Sequence, residues 1–130
     1  MILFKNSELL FIGERHFINH LLKKKIAIPR NVLVIGKECF LSCSNIQKVE
    51  FEGNSNLRNI DDNAFNNCLF EKISIPLNVA RIGGSAFSYC NNLEKVEFEK
   101  NSKLRIIEKL TFTQTQMEEI RLIVVKSLNV

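Results

Sequence analysis

The segment FEKISIPLNVARIGGSAFSYC, residues 70–90, contains the pattern that decides the fold. In this segment Ile82 is followed five positions later by Phe87. The same pair recurs about every 23 or 24 residues, at Ile12/Phe17, Ile35/Phe40, Ile60/Phe65 and Ile107/Phe112. Self-similarity at a fixed period of this length is typical of repeat proteins in which successive coils stack. The repeat therefore predicts a solenoid.

The repeat also contains the pattern of a β-strand, which is clearest at residues 95–98. Val96 and Phe98 alternate with Lys95 and Glu97, so the first two should point inward and the other two outward. Equivalent apolar pairs are spaced by 24, 23, 24, 23 and 24 residues, at Ile2/Phe4, Ile26/Ile28, Val49/Phe51, Ile73/Ile75, Val96/Phe98 and Ile120/Leu122. One strand per coil is expected, and each should lie beside the strand of the next coil.

Two kinds of connector follow these strands. The short form, Ile-Pro-x-Asn-Val, occurs at residues 28–32 and 75–79. The long form, Phe-Glu-x-Asn-Ser-x-Leu, occurs at residues 51–57 and 98–104. Proline cannot donate to a ladder, so it should end strand pairing. In the long form, Gly53-Asn54-Ser55 and Lys100-Asn101-Ser102 should turn the chain through side-chain hydrogen bonds and tolerance of positive φ.

A short turn of helix is expected after each repeat isoleucine. Phe87 and Cys90 are three positions apart, which is one face of a helix, and both should point into the stack. The predicted fold class is therefore an α/β-type repeat solenoid of about five coils. One parallel β-sheet should cover one face, and short helical turns or loops the other.

The chain is expected to form one domain, residues 1–130. Its coils should lie near residues 1–25, 26–48, 49–72, 73–95 and 96–119, with a remnant at 120–130. We number these coils 1 to 5. Since no coil can bury its own apolar side, neighbours must cover one another. The predicted spine is the column Phe17, Phe40, Phe65, Phe87 and Phe112. Burial of the five rings would contribute about 7 to 15 kcal/mol before entropy, at about 1.5 to 3 kcal/mol each.

Composition limits the classes of function. At 45% hydrophobic residues, the chain resembles an ordinary globular domain and not a disordered segment. Its 18 basic and 14 acidic residues are interspersed and leave a net charge of +4. Glutamates among the outward lysines, without stacking aromatics, argue against a nucleic-acid partner. No run of 18 apolar residues occurs, so no transmembrane segment is expected.

The positions of the four cysteines favour a structural role over a reactive one. Cys43, Cys68 and Cys90 share one repeat position, while Cys39 stands where other coils have a small residue such as Ala64. Successive coils about 4.8 Å apart would satisfy the distance for a disulfide, but parallel side chains argue against one. No zinc-ligand spacing is present. We interpret these cysteines as buried structural thiols.

No set of residues with catalytic spacing is found. His16 and His20 are one helical turn apart, but their repeat positions are those of small or buried residues and no nucleophile motif accompanies them. Gly83-Gly84 lacks the spacing of a phosphate-binding loop and is assigned to a turn. We therefore expect no catalytic residue, no metal and no cofactor.

The outward strand positions form predicted columns. One consists of Lys25, Lys48, Lys72, Lys95 and Glu119, and the next of Ala27, Glu50, Ser74, Glu97 and Arg121. The candidate binding face is made of Lys48, Glu50, Lys72, Ser74, Lys95 and Glu97. Repeat solenoids use such regular surfaces for recognition. The alternative is a solvated surface whose charges neutralise one another.

The full repeat, L-x-x-I-x-I-P-x-x-V-x-x-I-G-x-x-A-F-x-x-C, is similar to the BspA-like, treponemal-type leucine-rich repeat. It is most complete from Phe70 to Cys90, and the resemblance covers essentially the entire chain. It implies a leucine-rich repeat stack without catalytic residues. It also implies a surface antigen or adhesion protein whose partner is a host or matrix protein.

The ends depart from the repeat. His20 and Thr115 replace the repeat cysteine, Ile123 stands at the proline position, and no polar cap is visible. We therefore expect a domain truncated at both ends, whose exposed strand edges would allow self-association. The alternative function is an intracellular scaffold, or a structural fragment of a longer repeat array.

Location is left open by the sequence. The family resemblance indicates the cell surface, whereas residues 1–13 lack the hydrophobic region of a secretory signal and so indicate the cytoplasm.

Overall fold

The computed structural model describes residues 10–17 and 24–116. In them the chain winds in stacked coils, and every strand pairing is parallel. The strands are β1 (Phe11–Ile12), β2 (Lys25–Ile28), β3 (Val34–Ile35), β4 (Lys48–Phe51), β5 (Asn59–Ile60), β6 (Lys72–Ile75), β7 (Arg81–Ile82), β8 (Lys95–Phe98) and β9 (Ile106–Ile107). The predicted solenoid with parallel strands in stacked coils is confirmed.

Several predictions concern residues that the structure does not describe. These are the pairs Ile2/Phe4 and Ile120/Leu122, the residues His20, Glu119, Arg121 and Ile123, and the remnant at 120–130. The uncapped ends and self-association through them also lie outside the described residues.

The four longer strands coincide with the apolar pairs of the sequence. They pair as β2–β4 and β6–β8, in registers that place Ile26 beside Val49 and Ile73 beside Val96. Buried and outward residues alternate along each strand, as the period of two predicts. We call the surface formed by the outward residues of β2, β4, β6 and β8 the strand face.

A second sheet, which the sequence pattern does not predict, is built on the repeat isoleucines. The two-residue strands β1, β3, β5, β7 and β9 form one continuous five-stranded sheet in that order. Ile35 lies beside Ile60 and Ile60 beside Ile82, and all three are fully buried. The expectation of one sheet is therefore corrected. Strands of two residues are too short to show alternation in a sequence.

Runs of turns take the place of the expected helical turns, and no helix is present in residues 10–17 and 24–116. In coil 3, Asn63 and Asn67 have φ values of 57° and 62°, in the left-handed region that interrupts a right-handed helix. Between them, the Phe65 amide donates to the Ala86 carbonyl of coil 4 at 2.8 Å. The turns thus supply a further set of hydrogen bonds between coils.

The long connectors turn as the sequence predicts. Asn54 and Asn101 have positive φ values of 60° and 67°. The hydroxyl of Ser55 accepts a hydrogen bond from the Leu57 amide at 3.1 Å, in the local pattern that favours serine in turns. Asparagine, and not Gly53, adopts the left-handed conformation.

Phenylalanine rings form a continuous stack through the molecule. Phe40, Phe65 and Phe87 are fully buried, and Phe17 and Phe112 are partly buried at its two ends. Consecutive ring centroids are 5.3, 5.2, 5.6 and 5.7 Å apart, and the rings are within 11° of parallel. Aromatic pairs at such distances add about 0.5 to 1.5 kcal/mol beyond area burial.

Gly83 lies where two coils approach most closely. Its amide donates to the Ile60 carbonyl at 2.7 Å, and a Cβ on Gly83 would lie 2.5 Å from the amide nitrogen of Asp62. A Cβ on the adjacent Gly84 would meet no atom closer than 3.6 Å. Neither glycine has a positive φ, so Gly83 is required by the close approach of two backbones and not by its own conformation.

Replacement of Phe65 by alanine should lower the free energy of unfolding by about 3 to 5 kcal/mol, through lost burial and the cavity left between two rings. Phe112→Ala is the matched control, since this ring is only partly buried and stacks on Phe87 alone among the described rings. Urea denaturation measures both variants. A wild-type midpoint for Phe65→Ala would contradict a buried stack.

Gly83→Ala should destabilise the protein by about 1 to 3 kcal/mol, because the new methyl group can fit only if two backbone segments separate. Gly84→Ala should leave stability unchanged or raise it by up to about 1 kcal/mol, because alanine restricts the unfolded chain. Thermal unfolding of the two variants provides the comparison. Equal effects would show that the coils tolerate wider spacing at Gly83.

Candidate functional site

The candidate binding residues all lie on the strand face. They are Lys48 and Glu50 on β4, Lys72 and Ser74 on β6, and Lys95 and Glu97 on β8. Glu50 is half-buried and the other five are exposed. Parallel register places equivalent residues of paired strands side by side, so Lys72 lies beside Lys95 and Ser74 beside Glu97.

Glutamates on the strand face neutralise several of the lysines. The Glu50 carboxylate lies 3.1 Å from the Lys25 ammonium and 3.0 Å from that of Lys48. Hydrogen bonds from Lys48 and Lys25 hold the pKa of Glu50 below its usual value. Lys95 likewise pairs with Glu97 at 3.3 Å. These positions fit the interpretation of a solvated surface with compensated charge.

Lys72 differs from the other lysines of its column. Its neighbour on the strand face is Ser74, where β4 and β8 have glutamate. No described carboxylate forms an ion pair with Lys72, in contrast to Lys25, Lys48 and Lys95. The sequence already contains this signal, because only this coil combines an outward lysine with serine two residues later.

The strand face is interrupted between β4 and β6. No backbone hydrogen bond joins these two strands within the described residues, although β2–β4 and β6–β8 are paired along their full length. A groove of about 1090 Å³ opens at this place, and Lys48, Phe51, Lys72 and Ser74 are among the residues that line it. We call it the β4/β6 groove.

The interruption coincides with a change of repeat length. Paired strands begin 23 residues apart, whereas Val49 and Ile73 are 24 apart. The coil between β4 and β6 contains the long connector, residues 51–57, whose Phe51 is bulkier than the isoleucine of the short form and only half-buried. The sequence intervals contain this difference, but the pattern alone does not predict a loss of pairing.

On the other side of the stack, Arg81 lies among three carboxylates. It contacts Asp61 at 3.2 Å, Asp62 at 2.9 Å and Glu108 at 3.6 Å. Partial burial raises the pKa of Asp62, but hydrogen bonds from Arg81 and the Gly84 amide outweigh it, and the pKa lies below its usual value. This interaction stabilises the fold at neutral pH and is lost as the pH falls. The repeat pattern of the sequence does not predict this cluster.

The described residues contain no group of three or more His, Cys, Asp or Glu side chains arranged to hold a metal ion. His16 packs edge-on against the Phe17 ring, with centroids 4.4 Å apart. The second histidine of the predicted pair, His20, lies outside the described residues.

The repeat cysteines are buried thiols that donate hydrogen bonds and form no disulfide. Each Sγ donates to a phenylalanine carbonyl of the preceding coil, Cys43 to Phe17 at 2.9 Å, Cys68 to Phe40 at 3.3 Å and Cys90 to Phe65 at 3.0 Å. Burial raises the pKa of the Cys90 thiol to about 11 and that of Cys39 to about 12. The thiols therefore stay protonated and join neighbouring coils.

Within residues 10–17 and 24–116, no helix is long and apolar enough to cross a membrane.

Stacked coils, parallel strands and a phenylalanine spine define a β-solenoid of the leucine-rich repeat class. The family described as BspA type Leucine rich repeat region matches residues 11–129 in six copies. The chain belongs to this family, and the resemblance inferred from the repeat is confirmed. No curated protein matches the sequence.

Solved structures of repeat proteins resemble most of the chain. The pneumococcal vaccine antigen PcpA is 27% identical with a TM-score of 0.77, over 82% of this chain and 28% of that one. A leucine rich cell surface protein from Faecalibacterium prausnitzii is 25% identical with a TM-score of 0.56, over 84% of this chain and 35% of that one. The chain thus spans well under two thirds of either relative.

A leucine-rich repeat protein of T. pallidum shares the fold alone. It is 15% identical with a TM-score of 0.62, over 94% of this chain and 78% of that one.

The four thiols of the native protein should react very slowly with a disulfide reagent at neutral pH, because all four are buried. Burial also raises the pKa values of Cys39, Cys68 and Cys90, which keeps their thiolate fraction small. All four should react at once in denaturant. A thiol titration with and without urea measures this. Rapid native reaction of four groups would contradict their burial.

Proposed function

We propose that the protein is a non-enzymatic protein-binding module that acts at the cell surface and adheres to host or matrix proteins through the strand face. The observation that supports this most directly is the regular array of exposed side chains on paired parallel strands. Membership of a repeat family that is typically non-catalytic also supports it. Two relatives are described as a vaccine antigen and a cell surface protein.

A stacked solenoid suits recognition because its surface is already ordered. The strands of the face are fixed by hydrogen bonds and by the buried residues beneath them, so a partner would order few additional groups on binding. Side chains of paired strands repeat at about 4.8 Å. A partner with matching charge spacing would be selected mainly by electrostatic complementarity.

Charge on the strand face also sets the expected strength of binding. Exposed lysines and glutamates dominate the face, and no exposed aromatic residue stands on β2, β4, β6 or β8. Aromatic anchors usually supply the largest contributions to affinity. Binding should therefore be moderate and should weaken as salt screens the charges.

The test measures binding of the full chain to immobilised extracellular-matrix proteins by surface plasmon resonance. The strand-face variant is Lys72→Glu with Lys95→Glu, and the matched control is Lys37→Glu with Lys109→Glu, which changes net charge equally in the turn segments. The strand-face variant should lose about tenfold or more in affinity and the control less than about threefold.

Equal losses in the two variants would show that net charge, and not the strand face, governs binding. Absence of any protein partner, with self-association alone, would favour the second candidate, a structural fragment of a longer repeat array. Fractionation of cells that carry a tagged copy tests the proposed location.

A further inference from the structure

The β4/β6 groove is a furrow along the strand face and not a slot between separated strands. Cα atoms of β4 and β6 lie within 8 Å of one another, so a third chain has no room between the two strand edges. The lining continues past the carboxyl ends of both strands into residues 51–56 and 76–78. A ligand of this groove therefore contacts side chains above the strands and in the connectors.

Ser74 lowers the floor of the groove. The equivalent residues of β4 and β8 are Glu50 and Glu97, whose side chains are longer. The Ser74 hydroxyl is exposed and makes no hydrogen bond with the described residues. A hydroxyl donates one hydrogen bond and accepts two, so this group can serve either a donor or an acceptor of a ligand.

Side-chain amides of asparagine line the groove in two different states. The Asn78 amide donates to the Ser55 carbonyl at 3.2 Å, and the Asn92 amide donates to a backbone carbonyl at 3.4 Å. Asn54 and Asn56, in the long connector, are exposed, and their amides make no hydrogen bond with the described residues. An amide presents a donor and an acceptor side by side, which suits two neighbouring hydroxyl groups of a ligand.

Charge in the lining disfavours ionic ligands. Glu71, Lys72 and Glu99 form no ion pair with the described residues. Two unpaired carboxylates would repel an anion such as a phosphate or an acidic sugar, and the unpaired ammonium would repel a strongly cationic ligand. A neutral polar ligand avoids both costs. The other charged residues of the lining are in ion pairs, namely Lys48, Glu50 and Glu52.

Apolar surface accompanies these polar groups. Phe51 and Leu77 are half-buried in the lining. A sugar ring has hydroxyl groups around its edge and apolar C–H groups on its faces, so it can pack on such side chains while its edge forms hydrogen bonds. The volume of about 1090 Å³ is close to the upper end of the range of about 300 to 1,000 Å³ for ligand pockets, which is room for several linked rings.

The groove keeps its shape because coils 3 and 4 are fixed behind it. The rings of Phe65 and Phe87 stack at 5.6 Å, and Ile60 lies beside Ile82 in the five-stranded sheet. The two coils therefore cannot close the groove or open it further without disturbing the core. A ligand would order few protein groups on binding, which lowers the entropic cost of association.

We propose that the β4/β6 groove binds a neutral oligosaccharide. The hydroxyl groups of the sugar pair with the amides of Asn54 and Asn56 and with the hydroxyl of Ser74. The Lys72 ammonium donates to a further sugar oxygen, and one ring face lies against Phe51. This site goes beyond the proposed function, because its ligand is a glycan and not a protein, and either can hold without the other.

Titration of the full chain, labelled with ¹⁵N, tests the site with three neutral sugars, lacto-N-tetraose, maltotetraose and tri-N-acetylchitotriose. At least one should bind with a Kd of about 5 mM or tighter. Its chemical-shift changes should centre on residues 51–56 and 71–78. Two acidic sugars, a hyaluronan tetrasaccharide and sialyllactose, should bind about threefold or more weakly than the best neutral sugar, because the free carboxylates repel them.

A matched pair of substitutions tests the amides. Asn54→Gly removes one amide and keeps the positive φ, and it should weaken the best neutral sugar about threefold or more. Asn101→Gly is the control, since Asn101 has the same repeat position and a φ of 67° but does not line the groove. The control should leave the affinity for the sugar unchanged.

A second pair tests the floor of the groove. Ser74→Glu introduces the residue that β4 and β8 carry at this position, so the fold should be retained, and the longer side chain should abolish sugar binding. Gln114→Glu adds the same charge in a turn segment and should leave sugar binding unchanged. Urea denaturation of both variants shows that they are folded.

Failure of all three neutral sugars to bind, shift changes away from the groove, acidic sugars that bind as tightly, or equal effects of Asn54→Gly and Asn101→Gly would each overturn the oligosaccharide site. Matrix proteins freed of their glycans by enzymes separate this site from the proposed function. If they bind the strand face and no sugar binds, only the oligosaccharide site is overturned. If a neutral sugar binds and no protein does, only the proposed function fails.

Discussion

Contact between successive coils is the interaction on which the rest of the structure depends. Phe40, Phe65 and Phe87 are buried, and each of these rings is covered by the ring above and the ring below. Backbone hydrogen bonds of the five-stranded sheet, of the pairs β2–β4 and β6–β8 and of the turn segments also run between neighbouring coils. Since almost all stabilisation lies between neighbours, outward side chains are free to vary without disturbing the fold.

The sequence predicts those features that recur in every coil. The isoleucine–phenylalanine pair appears five times and the apolar pair of the β-strand six times, and this regularity gives the coil spacing. The second sheet has no such signal, because two residues cannot show a period. The helical spacing of Phe87 and Cys90 favours short helical turns over loops. Residues with positive φ interrupt these segments, and they include Glu38 and Leu110, which no turn rule selects.

The sequence predicts that the candidate site lies on the outward face of the strands, but it does not predict the gap between β4 and β6. Alternation identifies Lys72 and Ser74 as outward residues. Ser74 stands at the repeat position of Glu50 and Glu97, so the sequence already shows that this coil lacks a carboxylate there. The gap between β4 and β6 coincides with a coil that is one residue longer, and the effect of that residue on strand pairing depends on the packing of the whole coil. The second sheet stays continuous across the same coil, so the stack is closed on one side and open on the other.

The arrangement of the cysteines has a consequence for the compartments in which the chain can exist. Cys43, Cys68 and Cys90 lie one above another, yet each thiol is committed to a carbonyl and shielded from solvent. To form a disulfide, two side chains would have to leave those hydrogen bonds and turn toward each other within a packed core. The fold is therefore indifferent to redox potential. The same fold can form in the reducing cytosol and in the oxidising extracellular environment, and it requires no enzyme that forms or isomerises disulfides.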